Sequence, residues 1–310
     1  MSYFVEDLLE SIKNKSFAPI SQNTLDDNDL ITMADEELGL SIVSAISSVK
    51  EDFFMTTEDT PILANTSHYS IPSRAIANSL KEVYYVDSGN NESPMRYIDS
   101  SRRSDFELSG SNPRAYYFEG DEIVLVPKPS VSSGTIRFLF PAKPNTLIAT
   151  SSCAKITGST VGASTVVFDV DTDLTSSLTT SSYIDVLSSV APFKLWKYRA
   201  LIQAISSTQI TLLLSDVINQ SGSGIEPQIN DYVCPSGFSN IPQVPTVFHA
   251  VLSQKMSVRL MGSLGDLNKK ASEQAEYKEL LEQALRLIRN RVEASPRKIS
   301  KRNSLVKFIK

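Results

Sequence analysis

The residues able to do acid–base or metal chemistry are few and scattered. Histidine occurs twice, as His68 and His249. Imidazole is the side chain that titrates near neutrality, but His68 stands beside Tyr69 in a strand-like run, and His249 stands beside Phe248 where a helix starts. Both read as structural imidazoles. The two cysteines, Cys153 and Cys234, are far apart, and no further Cys or His sits at metal-ligand spacing. That argues against a zinc site and predicts free thiols in a reducing cytoplasm rather than a disulfide. Paired carboxylates can hydrolyse a glycoside, and the candidates are Asp26 with Asp27 and Asp169 with Asp171. The first pair reads as a helix entry and the second as an exposed strand edge. Trp196, the single tryptophan, could offer an aromatic contact platform, but core packing of its segment is the stronger reading. The sequence has no phosphate-cradling P-loop, no dinucleotide-binding turn and no nucleophile elbow. With no convergent set of polar groups, the chain is expected not to be an enzyme. No catalytic, cofactor-binding or metal-binding residue is assigned, and no cofactor is expected.

What remains is chemistry of association. The net charge is only −5, but it is unevenly spread. Residues 1–60 hold 13 acids against Lys13, Lys15 and Lys50, whereas from Arg286 onward nine cations face only Glu293. The last fourteen residues interleave Arg297, Lys298, Lys301, Arg302, Lys307 and Lys310 with Ile299, Leu305, Val306, Phe308 and Ile309. A phosphate-binding arm needs no such apolar anchors, and the chain as a whole is acidic. The pattern instead predicts an arm that docks in a groove of another protein, its charges steering encounter and setting register. A solubilising tail, a DNA-binding arm or a membrane-surface helix is a weaker reading. The opening MSYFVEDLLESIKNK is amphipathic and acidic, unlike a secretory signal, and no apolar run is long enough to cross a bilayer. The chain is expected to be made in a cytoplasm, without a membrane anchor.

These residues must be held by a globular body, since 41% of the 310 residues are hydrophobic and 21% charged. Residues 3–15 predict a helix with Phe4, Leu8, Leu9 and Ile12 on one face. A second helix starts near Asp26–Asp29 and carries Ile31, Ala34, Leu38, Ile42, Ala45, Val49 and Phe53 as one stripe, ending before Thr60-Pro61. From residue 62 the period shortens. Runs at 67–71, 81–86, 95–98, 115–118, 122–126 and 135–140 predict an antiparallel meander. A Ser/Thr-rich block at 150–238, with strands near 165–170, 183–186, 197–205, 209–214 and 231–234, predicts an inserted small β-barrel or sandwich. Two helices follow. The first buries Phe248, Leu252, Met256 and Leu260; the second carries Leu264, Leu267, Ala271, Ala275, Leu281, Leu285, Ile288 and Val292. The fold class is α+β. Its expected parts are 1–149 (helices and meander), 150–238 (inserted β domain), 239–296 (C-terminal helices) and 297–310 (basic arm).

Four segments, in this order, resemble the head-to-tail adaptor (connector) proteins of tailed phages. They are DDNDLITMADEELGLSIVSAISSVKEDFF, AYYFEGDEIVLVPKPSVSSGTIRFLFPAKP, DYVCPSGFSNIPQVP and VFHAVLSQKMSVRLMGSLGDLNKKASEQAEYKELLEQALRLI. The resemblance implies a helical-bundle body, a homododecameric ring below the portal protein, and tail or nozzle proteins beneath it. It also implies a lumen through which genomic DNA passes without sequence-specific binding, in a virion assembled in the host cytoplasm. Residues 297–310, with Arg297, Lys298, Ile299, Lys301, Arg302, Leu305, Val306, Lys307, Phe308 and Ile309, would then be the portal-docking arm. A peptidoglycan-degrading virion protein, or another tail or baseplate component, is the competing expectation.

Overall fold

The computed structural model describes residues 4–16, 26–107, 112–190, 195–217 and 227–289. Helix α1 (Val5–Ser16) buries Val5, Leu8, Leu9 and Ile12 as one stripe. Helix α2 (Asp27–Glu37) begins at a capping box: Asp26 accepts from the Asp29 N–H, and Asp29 accepts from the Asp26 N–H. Two donors of the first turn are thereby satisfied. A π-helical turn, Leu38–Val43, separates α2 from α3 (Ser44–Val49), and it corrects the expected stripe. Leu30, Ile31, Ala34, Leu38, Ile42, Val43 and Ile46 are buried, while Ala45, Val49 and Phe53 are only partly buried. A π turn takes up more residues than an α turn, so the buried face arrives one position late. The helix also ends sooner than expected, and after a 3₁₀ turn at Glu51–Phe54 the chain is already a strand.

Eight strands follow: β1 (Met55–Pro61), β2 (His68–Ser70), β3 (Glu82–Val86), β4 (Glu92–Pro94), β5 (Arg96–Tyr97), β6 (Ala115–Glu119), β7 (Glu122–Val126) and β8 (Thr135–Pro141), with a short helix α4 (Ser104–Glu107) before β6. They do not form a meander. They make two four-stranded sheets, ordered β1-β8-β3-β4 and β2-β7-β6-β5. Strand β8 alternates, burying Ile136, Phe138 and Phe140, and the other sheet offers Tyr69, Tyr116, Ile123 and Leu125 to the same cluster. One apolar face of each sheet covers the other, and the second sheet also buries Ala115, Tyr117, Val124 and Val126 on its opposite face, beside Ile98 and Phe106. Gly134, at φ +80°, makes the turn into β8; a Cβ there would lie 2.5 Å from the Val86 carbonyl oxygen.

The third sheet is built from β10 (Ala154–Val161), β11 (Thr165–Val170), β12 (Tyr183–Leu187), β13 (Leu195–Leu201), β14 (Ala204–Ile205), β15 (Gln209–Leu213) and β16 (Tyr232–Pro235). A small parallel pair, β9 (Thr146–Leu147) with β17 (Phe238–Ser239), lies at its base, and a short helix α5 (Leu214–Val217) follows β15. The order is β13-β12-β16-β10-β11-β15-β14, antiparallel throughout, and no barrel closes. Its two edges are consecutive in the chain, because residues 202 and 203 carry the backbone from β13 across to β14. Ile156, Val166, Phe168, Ile184, Val186, Ile210, Leu212 and Val233 fill its interior. The register that pairs Ala154 with Val233 sets Cys153 opposite Cys234. The two form a disulfide, with Cα atoms 4.5 Å apart across a sequence separation of 81. The expectation of free thiols is therefore wrong: strand pairing brings together what sequence distance had kept apart.

Helices α6 (Val247–Ser263) and α7 (Leu267–Ile288) complete the bundle with α1–α3. Phe248, Leu252, Met256 and Leu260 are buried as expected, but so are His249, Val251, Ser253, Gln254, Ser257, Val258 and Met261. Helix α6 is the centre of the bundle, wrapped on most sides. For α7 the expected stripe holds only in its second half. Leu267, Ala271 and Ala275 are exposed, and the packed face is Tyr277, Leu281, Ala284, Leu285 and Ile288.

Candidate assembly surfaces

The chain leaves the two-sheet sandwich near Asn145 and returns from the third sheet near Ser236, and these two passages are locked by a buried carboxylate. Asp185, on β12, accepts from Asn145 Nδ2 (2.7 Å), the Arg199 N–H (2.9 Å), Ser236 Oγ (3.0 Å) and the Gly237 N–H (2.9 Å). A second buried carboxylate, Asp231, accepts from Trp196 Nε1 (2.8 Å) and from the N–H groups of Ser189 and Gln228. Full satisfaction of this kind is what makes a buried charge tolerable. The N-terminal helix closes on the same seam, with Phe4 edge-on to Tyr232 and Glu6 accepting from the Thr150 N–H.

Beside the seam lies a groove of about 550 Å³, between strands β1 and β2 and walled by Glu58, Thr60, Leu63, Tyr69, Ile71 and Arg199. Both strands are sheet edges. Glu58 pairs across the ladder with the fully buried Phe138, so its carboxylate stands on the core-facing side of the sheet. Burial pushes its pKa up, and the nearby cations Arg199 and Arg74 pull it back down. The pairing of β12 with β13 shifts register between Ile184 and Val186, which creates a bulge. Arg199 lies in it at φ +55°, a left-handed conformation rare for a side chain of this size. Its guanidinium stacks over Tyr183, and that of Arg74 stacks over Tyr198, each 4.6 Å from the ring centroid.

A second cleft, of about 590 Å³, runs between α1, α6 and α7, with Asp7, Glu10, Glu273 and Glu276 around Lys15. The Lys15 ammonium donates to Ser253 Oγ at 2.9 Å. Burial lowers its pKa, opposed by Glu276 and Glu273.

The residues singled out for chemistry serve the fold. His68 Nδ1 lies 3.2 Å from Glu122 Oε2 on the neighbouring strand, both side chains being about half exposed. His249 is buried in the first turn of α6. Asp26 caps α2, and Asp27 pairs with Lys13 at 2.5 Å. Asp169 accepts from Gln209 Nε2, and Asp171 from the Lys155 N–H. Trp196 packs on the interior of the third sheet. Among the described residues no group of His, Cys, Asp and Glu could hold a metal ion, and no helix is long and apolar enough to cross a membrane. The arm residues Arg297, Lys298, Ile299, Lys301, Arg302, Leu305, Val306, Lys307, Phe308 and Ile309 lie outside the described residues. Sequence reasoning missed Glu58, Arg74, Arg199 and Asp185, because each owes its place to cross-strand partners remote in sequence.

A family model described as SU10 adaptor protein matches residues 6–172, from α1 through both sandwich sheets to β11. No curated protein matches the chain.

Proposed function

This chain belongs to the SU10 adaptor protein family, a family of phage head-to-tail adaptors, and on that premise we propose that it forms a ring of twelve copies between portal and tail. Its role is structural: it is an adaptor of the phage virion. The ring joins the portal above to tail or nozzle proteins below and encloses a lumen that DNA traverses without being read. The observation that carries this reading is the match over residues 6–172, which is more than half of the chain. The net charge of −5 suits such a lumen, since a channel lined by cations would hold phosphate in a salt-dependent grip.

Residues 297–310 are the portal-docking arm in this proposal, with Ile299, Leu305, Val306, Phe308 and Ile309 as anchors and the six cations as steering charges. Ending the chain after Ser295 is expected to leave a folded protein that no longer assembles on portal rings, as read by sedimentation or electron microscopy of the mixture. Phe308→Ala with Ile309→Ala should weaken docking at every salt concentration, whereas reversing Lys301 and Arg302 should matter most at low salt. Complete rings from the shortened chain would sink the assignment of the arm.

A further inference from the structure

We propose that Cys153 and Cys234 are a redox clasp on the neck of the third sheet: two thiols while the chain is made in its host, one disulfide once the particle is outside. The inference rests on the chain's place in a virion, not on the ring. A cytosol keeps thiols reduced, whereas virion surfaces let disulfides persist. The chain has no cysteine besides these two, and strand pairing sets their Cα atoms 4.5 Å apart. Cys153 stands where the chain enters the sheet, and Cys234 lies on β16, just before the chain leaves it. Between them β10 meets β16 through two residue pairs, Ala154 with Val233 and Lys155 with Tyr232, continued by the Ile156 N–H donating to the Asp231 carbonyl. By contrast, β10 pairs with β11 through five residues and β12 with β16 through four. The two halves of the sheet, β13-β12-β16 and β10-β11-β15-β14, thus join at a short ladder, and the bond bridges that ladder at the neck.

Both cysteines are fully buried. They share a small cluster with Leu187 and Tyr232, onto which Phe4, Ile148 and Leu195 pack. Phe4 stands edge-on to Tyr232, with ring centroids 5.3 Å apart, and Val5 donates its N–H to the Asn240 carbonyl at 3.0 Å. The start of α1 is therefore part of the cover, and a reagent reaches the sulfurs only when that cover opens. The oxidant is a low-molecular-weight disulfide. One cysteine thiolate attacks it, forming a mixed disulfide and releasing a first small thiol. The other thiolate then attacks the protein sulfur of the mixed disulfide and releases the second. Two electrons and two protons pass from the cysteines to the reagent, which leaves as two thiols. The closed bond spans a sequence separation of 81, a length at which a cross-link strongly restricts the unfolded chain. With the cover shut, a bond once made is kept from reductant.

The test counts thiols in the full-length chain made in a reducing cytoplasm. Protein alkylated inside the producing cells should carry two adducts, and protein purified without alkylation and then treated with oxidised glutathione should carry none. Oxidation should raise the melting temperature by about 5–10 °C. The double variant Cys153→Ala with Cys234→Ala should melt at one temperature with or without oxidant. Reduced glutathione should open the bond about tenfold faster in Phe4→Ala, whose cover is thinned. A disulfide already complete inside the cells would overturn the proposal. So would thiols that survive the oxidant, or a melting temperature indifferent to the bond. An unchanged rate of reduction in Phe4→Ala would overturn the part given to α1. Neither ring nor portal takes part, so failure here leaves the adaptor reading standing, and failure to form rings leaves the clasp.

Discussion

His249 shows how a titratable side chain becomes a strut. It is fully buried, and its Nε2 donates to the carbonyls of Pro242 (3.0 Å) and Val244 (3.2 Å), tying the extended segment before α6 to that helix's first turn. The donating nitrogen belongs to a neutral ring, and burial lowers the pKa below the ordinary 6.5. An unfolded chain takes up a proton near that ordinary value while the folded chain resists it. The stability this residue confers is therefore whole above about pH 6.5 and is lost as pH falls through the lower folded value. His249→Gln should cost about 1–2 kcal/mol at pH 7.5, the usual worth of a buried hydrogen-bonded group. The gap to the unchanged protein should narrow towards pH 5, and denaturant unfolding at several pH values measures it; parallel profiles would mean that the ring is solvated. At this scale the sequence is legible where partners are local. Asp26 announces its cap because Asp29 is three residues on. The Cys153–Cys234 bond and the Arg199 bulge are not legible, since both arise from registers between strands tens of residues apart.

Helices announced themselves through apolar spacing, and the two places where the spacing misled have physical causes. The π turn at Leu38–Val43 delays the buried face, so Ile46 rather than Val49 reaches the bundle core. Ile46→Ala should therefore cost about 2–4 kcal/mol, in the range for emptying a buried site. Val49→Ala should cost less, about 1 kcal/mol, because a partly buried residue loses less transfer energy and leaves no closed cavity. Equal losses in thermal or denaturant unfolding would mean that the helix runs on regularly through this turn. In α7 the apolar residues outnumber those the bundle can cover. Leu267, Ala271 and Ala275 extend past the packed face, which begins at Tyr277. Strand β1 was illegible for the opposite reason: MTTEDTP is an edge strand, and polar edges lack the apolar alternation that marks a paired strand. β10 lacks a clear alternation likewise, Thr157, Ser159, Thr160 and Val161 all being exposed.

Across the whole molecule, three large hydrophobic cores follow one another: the helical bundle, the two-sheet sandwich, and the seven-stranded sheet. The family match ends at residue 172, inside the third. A core of its own argues that the 150–238 block folds as a separate module attached through a narrow neck, and the geometry of the neck permits a direct test. Cys153 and Cys234 stand at its two sides with Cα atoms 4.5 Å apart, so replacing residues 154–233 by a short Gly/Ser linker closes a gap that already exists. Loop closure of that length adds little entropy cost. The deletion removes Tyr232 from Phe4, Asp185 from Asn145 and Tyr198 from Arg74. These contacts belong to the seam rather than to either remaining core, so the shortened protein should unfold at a lower temperature but still in one cooperative transition with its helical signal intact. The block expressed alone, as residues 150–238, should show a β-sheet spectrum and its own cooperative melt. A shortened chain that melts without cooperativity, beside a block that does not fold alone, would mean that the three cores form a single folding unit and that the seam contributes as much as the cores it joins.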